Sequence, residues 1–152
     1  SALIFSHRVG ATTIGIFSNK NVKKNYFLDF LINVNTEEEI IEGSTRMKAG
    51  TAQKLILNMI STTVMIKLGK TYGNLMVDLQ TKNEKLKKRA MQIIKRILPK
   101  LDELEIEKTL KRSGYSVKET ILILKRNITI KQARMLLAKN GGNLRICLKK
   151  EL

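Results

Sequence analysis

Two short β-branched runs, ATTIGIF at Ala11–Phe17 and the stretch Phe27–Val34 with Asp29 near its start, are the stretches of this chain that read as strands. A third apolar piece, Leu75–Leu79, is too short for its type to be settled. Everything else from Val34 onward carries helical spacing or punctuation. This shortage of strands is the strongest constraint on the fold. Strand–loop–strand patterns between helices call for a parallel α/β sheet, and such a sheet needs further strands at its edges and helices over both faces. The sequence also opens inside a helical pattern, with Ala2, Leu3 and Phe5 on one side and Gly10 as its stop. The expectation is the C-terminal part of a larger α/β protein.

The helices are well punctuated. Thr45 to about Lys70 predicts a long helix whose apolar positions (Leu55, Met59; Ile56, Ile60, Val64, Leu68) make a face wide enough to be buried against a sheet. Met59, Met65 and Met76 read as core filler. Tyr72-Gly73-Asn74 interrupts the pattern. Thr81 with Glu84 has capping-box spacing and opens a helix whose apolar face is Leu86, Ala90, Ile93, Ile94 and Ile97, while Lys87, Lys88 and Arg89 face water. Pro99, the only proline, ends it. Beyond it come helices over Asp102–Arg112, after Ser116 (with Glu119) and after Thr129 (with Gln132), then a last turn or two after Asn143. Leu104, Leu110, Val117, Ile121, Leu124, Ala133, Leu136 and Leu137 are their expected core, that of a small helical bundle. Two domains follow: 1–98 and 99–152.

Composition removes several function classes. No apolar run approaches the ~20 residues that span a bilayer, so no membrane partner is expected. Cys147, the one cysteine, cannot form an internal disulfide and reads as a packing residue, which fits a reducing cytoplasm. His7 has no Cys, His or carboxylate companion at ligand spacing, so no metal is expected. The net charge is +16, and residues 81–152 hold 20 Lys/Arg against 7 Asp/Glu. That excess invites a nucleic-acid reading, but no aromatic–basic interleaving accompanies it. A solvated helical surface is the better account.

Chemistry concentrates in Glu37–Lys54, EEEIIEGSTRMKAGTAQK. Four acids, a Gly-Ser-Thr turn and two cations precede the long helix. Free amides and hydroxyls at a helix start favour an anion, and Arg46 and Lys48 add charge beside them. An acid one turn upstream suits proton transfer on a phosphorylated ligand. For Glu39 the alternative is structural: Thr36 and Glu39 have the spacing of a capping box on a short helix. For Ser44 and Thr45 the alternative is N-capping of the long helix, with Arg46 and Lys48 as plain surface charge.

The run Glu39–Lys54 closely resembles the segment that closes the active site of the sugar isomerase (SIS) domain in N-acetylmuramic acid 6-phosphate etherases and the related glucokinase regulatory protein. The likeness continues through Leu57-Asn58-Met59-Ile60-Ser61-Thr62 and Lys70-Thr71-Tyr72-Gly73-Asn74-Leu75-Met76-Val77-Asp78. Upstream, Gly10-Ala11-Thr12-Thr13-Ile14-Gly15 resembles a late SIS strand. Downstream, Ser113-Gly114 with Val117-Lys118, and Asn140-Gly141-Gly142-Asn143-Leu144-Arg145, resemble the family's ubiquitin-associated-like tail.

The resemblance implies a partial SIS-type parallel three-layer sandwich followed by a small ubiquitin-associated-like helical bundle. It implies a lyase that cleaves the D-lactyl ether of N-acetylmuramic acid 6-phosphate during cell-wall sugar recycling, giving N-acetylglucosamine 6-phosphate and D-lactate. The reaction is an elimination followed by hydration and uses acidic side chains; no cofactor is expected. The family's recognised catalytic glutamates and Ser-rich phosphate loops map upstream of these residues, so the chain alone is expected to be inactive. Glu39 resembles the acid that serves as a proton-transfer base in other SIS sugar isomerases, five residues before their Ser-Thr-basic turn. Ser44, Thr45, Arg46 and Lys48 are the expected contacts to a phosphorylated amino sugar. A cytoplasmic homodimer is the expected state, and a non-catalytic sugar-phosphate-binding or regulatory module is the alternative function.

Overall fold

The computed structural model describes residues 2–149. Within them α1 (Ala2–Arg8) is followed by β1 (Ile14–Phe17), β2 (Phe30–Asn33) and α2 (Lys48–Lys67). A hairpin of β3 (Thr71–Tyr72) and β4 (Leu75–Met76) comes next. Five further helices complete the chain: α3 (Glu84–Ile97), α4 (Glu103–Arg112), α5 (Val117–Arg126), α6 (Ile130–Lys139) and α7 (Leu144–Lys149). The chain forms two compact units, residues 1–61 and 62–152, with α2 running across that boundary.

In the first unit β1 and β2 pair in parallel, Ile14 opposite Phe30 through Phe17 opposite Asn33. Parallel pairing was the sequence expectation. The strands are shorter than their β-branched runs because Thr13 and Asp29 are spent on a clasp. The Thr13 amide donates to Asp29 Oδ2 at 2.7 Å, and the Thr13 hydroxyl donates to the Phe27 carbonyl at 2.7 Å while accepting from the Asp29 amide at 3.1 Å. β1 is not the wholly buried strand expected: Gly15 is buried, but Ile14 is 44% exposed. Two paired strands have too little face to enclose either one.

The same shortage explains α2. Its helical spacing is as expected, yet none of its 20 residues is buried. Leu55, Leu57, Met59, Val64, Met65, Ile66 and Leu68 are all exposed, so Met59 and Met65 are not core filler. α2 also starts three residues later than Thr45.

The second unit holds the larger core. Val77, Ala90, Ile94, Ile106, Leu110, Val117, Ile121, Ala133, Leu144 and Cys147 form one buried cluster. α3 therefore packs with α4 and α5 in a single bundle. Leu79, Leu124, Leu136 and Leu137 pack partly buried around it, while Leu104, expected inside, is 75% exposed in the first turn of α4. Caps set the boundaries as the sequence indicated for α5 to α7: Ser116 and Asn143 accept first-turn amides, and Thr129 with Gln132 completes a capping box; at α4 the cap is Asp102, expected as the first helical residue. At α3 the cap is Asn83, which accepts from the Leu86 amide, not Thr81. The ambiguous Leu75–Leu79 piece begins as β4, turning on Gly73 at φ +59. Gly69, at φ +65, lies where any Cβ would come within 2.8 Å of Asn143 Cα, so only glycine lets α7 approach there.

Buried polar groups in this unit are satisfied. Ser113 and Thr120 hydroxyls meet at 2.8 Å, and Lys118, only 8% exposed, donates to the Gly142 carbonyl at 2.8 Å and lies 3.1 Å from Asp78. Asp78 also pairs with Lys70 at 2.6 Å. Burial raises the Asp78 pKa, but the bonds from Lys70 and Lys118 outweigh it and hold the carboxyl below its ordinary range.

Candidate functional site

The five residues singled out in the sequence cluster in the turn that leads into α2, but their bonds differ from the expected pattern. The half-buried Glu39 reaches nine residues ahead. Its Oε2 accepts from the Lys48 amide at 2.9 Å and its Oε1 from the Ala49 amide at 3.0 Å. No short helix forms around Thr36; Glu39 instead serves as a long-range N-cap of α2. The two amide donors, Ala49 first, pull the Glu39 carboxyl below the ordinary glutamate range, and nearby Lys48 adds to the effect against a small opposing desolvation.

The next amides are also taken. Gly50 donates to the Thr45 carbonyl at 2.9 Å and Thr51 to the Met47 carbonyl at 3.0 Å. The start of α2 therefore does not offer free amides to an anion, because a carboxylate of the chain already sits there. What it offers is side chains. Ser44 is half-buried, Thr45 and Arg46 are exposed, and among the described residues neither hydroxyl nor the guanidinium has an intramolecular hydrogen bond. Lys48 is held differently, its ammonium donating to the Glu38 carbonyl at 2.6 Å.

Sequence reasoning overlooked a second group of polar residues. A cleft of about 430 Å³ opens at the C-terminal ends of the two parallel strands. Ser18, Asn19, Lys20 and Asn21 line it from the loop after β1, and Asn35, Glu37 and Glu38 from the loop after β2. Both loops are braced internally. The Asn33 side-chain amide donates to the Asn19 carbonyl at 2.8 Å, Asn19 Oδ1 accepts from the Asn21 amide at 3.0 Å, and Asn35 Oδ1 accepts from the Glu37 amide. Glu37 sits at φ +57, a conformation a non-glycine residue holds only where its surroundings fix it. From its residues alone, Ser18–Asn21 reads as a plain turn. The signal that would have marked it is topological: in open parallel sheets, ligands bind beyond the carboxyl ends of the strands. Glu37 and Glu38 join the cleft to the segment that ends at Lys48.

The remaining candidates carry no chemistry. His7 meets the Tyr26 ring edge-on at 6.1 Å between centroids. Cys147 is buried, and burial pushes its thiol pKa up, the opposite of an activated nucleophile. Among the described residues no group of three or more His, Cys, Asp or Glu could hold a metal ion. Among the described residues no helix is long and apolar enough to cross a membrane.

The family model of the C-terminal lid domain of glucokinase regulatory protein matches residues 73–134, from the hairpin turn into α6. The chain is 49% identical over 141 residues to the N-acetylmuramic acid 6-phosphate etherase of Caldanaerobacter subterraneus, covering 93% of this chain and 46% of that protein. It is 46% identical over 147 residues to the etherase of Halalkalibacterium halodurans, covering 95% and 48%. With the etherase of Streptomyces coelicolor the identity is 44% over 144 residues, covering 95% and 46%. The chain thus spans about half the length of the curated relatives it matches. Over that shared half, the chain belongs to the N-acetylmuramic acid 6-phosphate etherase family.

Proposed function

We propose that this chain is the C-terminal portion of a lyase that cleaves the D-lactyl ether of N-acetylmuramic acid 6-phosphate, releasing N-acetylglucosamine 6-phosphate and D-lactate. The observation that carries the reading is near-complete coverage of the chain, at 44–49% identity, by proteins bearing that etherase name. The polar cleft at the strand ends, continuous with Glu37–Lys48, is where a phosphorylated amino sugar would sit. In this reading Ser44, Thr45, Arg46 and Lys48 contact the sugar phosphate and its hydroxyls. Glu39 faces the sugar as an ionised base. A carboxylate has about four lone-pair sites, so the two α2 amides leave it room to accept a proton.

The chain alone binds weakly and does not turn over. One observation favours a purely binding role for this part: both Glu39 oxygens already hold backbone amides, and its lowered pKa weakens it as a base. The finer fold reading belongs here too. Residues 1–98 are proposed as part of an SIS-type sandwich and 99–152 as a ubiquitin-associated-like tail. This division follows function, since by packing α3 joins the helical bundle. A cytoplasmic homodimer completes the proposal; the exposed apolar side chains of α2 support an assembly of that kind.

D-lactate release from N-acetylmuramic acid 6-phosphate tests the proposal. This chain alone should release none, and adding the unmatched half of a relative should restore release. Robust turnover by the chain alone would overturn the division of labour. Restoration that is unaffected by Arg46→Ala and Lys48→Ala together would overturn the assigned contacts.

A further inference from the structure

A cleft of about 660 Å³ belongs to the second unit and lies far from the Glu39 segment in sequence. It opens between the β3–β4 hairpin and α3, within the size range of small-molecule sites. Asn74, Arg89, Gln92, Lys95, Arg96 and Glu103 supply its polar lining, one acid against three cations. Met76 and Met91 add apolar wall.

Helical spacing explains why the cations gather. Arg89, Gln92 and Arg96 stand at i, i+3 and i+7, on one side of α3, with Lys85 one turn before them. An adjoining depression lined by Glu84, Lys85, Leu86, Lys88, Arg89 and Gln92 continues the same stripe. Ion pairs in this unit join Lys87 with Glu84, Lys111 with Glu107, Arg134 with Glu119, and Lys70 and Lys118 with Asp78. Arg89 and Arg96, like several other cations of the unit, enter none of them. Among the described residues no carboxylate lies within ion-pair distance of either guanidinium. Lys95 is spent on the Leu101 carbonyl at 2.7 Å, which ties the end of α3 to the following turn and steadies the wall.

We propose that this cleft binds a small molecule carrying two or more phosphate groups, gripped by Arg89 and Arg96. The two arginine Cα atoms are about 10 Å apart along the axis at 1.5 Å per residue. That spacing suits a ligand with separated phosphates, or a polyphosphate chain, better than a single orthophosphate, and each guanidinium presents a planar fork to one phosphate. A nucleic-acid strand is the less favoured occupant. Strand binding uses exposed aromatic faces for stacking, whereas Tyr72 and Tyr115 are half-buried and the Tyr115 ring is covered by Lys87 at 4.8 Å. This site is independent of the sugar-phosphate reading of the first unit.

Calorimetric titration of the full chain at low salt tests it, with tripolyphosphate, orthophosphate and a short single-stranded oligonucleotide as separate probes. Tripolyphosphate should bind saturably with one site per chain and more tightly than either other probe. The double variant Arg89→Gln/Arg96→Gln should lose about tenfold or more in affinity with its helical signal unchanged, since both side chains are exposed. A control, Lys131→Gln/Lys139→Gln, removes the same charge from exposed positions on α6 and should bind as the parent does. Equal losses in the two variants would reduce the effect to bulk charge and overturn the site. So would an absence of saturation at millimolar tripolyphosphate, or tighter binding of the oligonucleotide.

Discussion

Glu39 concentrates the chemistry of the first unit in one side chain. Its carboxylate replaces the missing partners of two α2 amides, so it must stay ionised for the segment Glu39–Lys48 to keep its shape. Because its folded pKa is lowered, its contribution is complete above the unfolded glutamate range, near pH 4.3, and is lost as the pH falls through the folded value. Glu39→Gln keeps one acceptor oxygen and removes the charge. Amide exchange at Lys48 and Ala49, followed by NMR across pH 3 to 7 and taken relative to the intrinsic rate of each amide at that pH, should accelerate in the parent only at the acid end. In the variant it should be fast throughout. Exchange that is equally slow in both at neutral pH would mean that the carboxylate is not the cap.

At the scale of the element, α2 is the anomaly. Its sequence has the apolar positions of a buried helix, and the structure leaves all of them at least partly open to water. Leu55, Met59 and Ile66 fall on one side of its wheel, and each is more than half exposed. Contiguous apolar surface of this kind marks a contact site. The triple change Leu55→Gln/Met59→Gln/Ile66→Gln should leave helicity by circular dichroism nearly unchanged, because nothing buried is removed. It should lower binding of a hydrophobic dye several-fold and shift light scattering towards the monomer. A variant that unfolds would show instead that the face is packed. The helix period was fully legible in the residues, and so were the caps of α5 to α7, because both depend on neighbours three or four positions away. The α3 cap was misassigned to Thr81 although Asn83, an equally good cap, stands next to the first helical turn. Leu104 was misplaced because heptad-like spacing marks a side, and only packing says whether another element covers it.

Across the whole chain, burial is uneven. Among residues 2–61 only Thr13, Gly15 and Leu28 are buried, whereas residues 62–149 hold nearly all of the aliphatic core. Local stability follows local burial, so native-state hydrogen exchange should be faster over β1 and β2 than over α3 to α6. Ile94→Ala, at a position with no exposure, should cost about 2–5 kcal/mol in denaturant unfolding and speed exchange throughout the helical bundle. Uniform protection along the chain, or a loss below about 1 kcal/mol, would contradict this distribution.

The sequence by itself determined what is written locally: the helix periods, most of the caps, the parallel strand pair, and the family carried by Glu39–Asp78. The helix periods and caps follow from φ/ψ preferences and short-range hydrogen bonds, which adjacent residues dictate. Only the tertiary structure decided what long-range bonding and covering decide. It brought Glu39 across nine residues to cap α2, so the helix start expected to welcome an anion is occupied by the chain's own carboxylate. It gathered Ser18–Asn21 and Asn35–Glu38 at the carboxyl ends of two strands, and Arg89 with Arg96 above the hairpin. It also left the apolar side of α2 uncovered, because a two-stranded sheet has too little surface to bury a helix about 30 Å long.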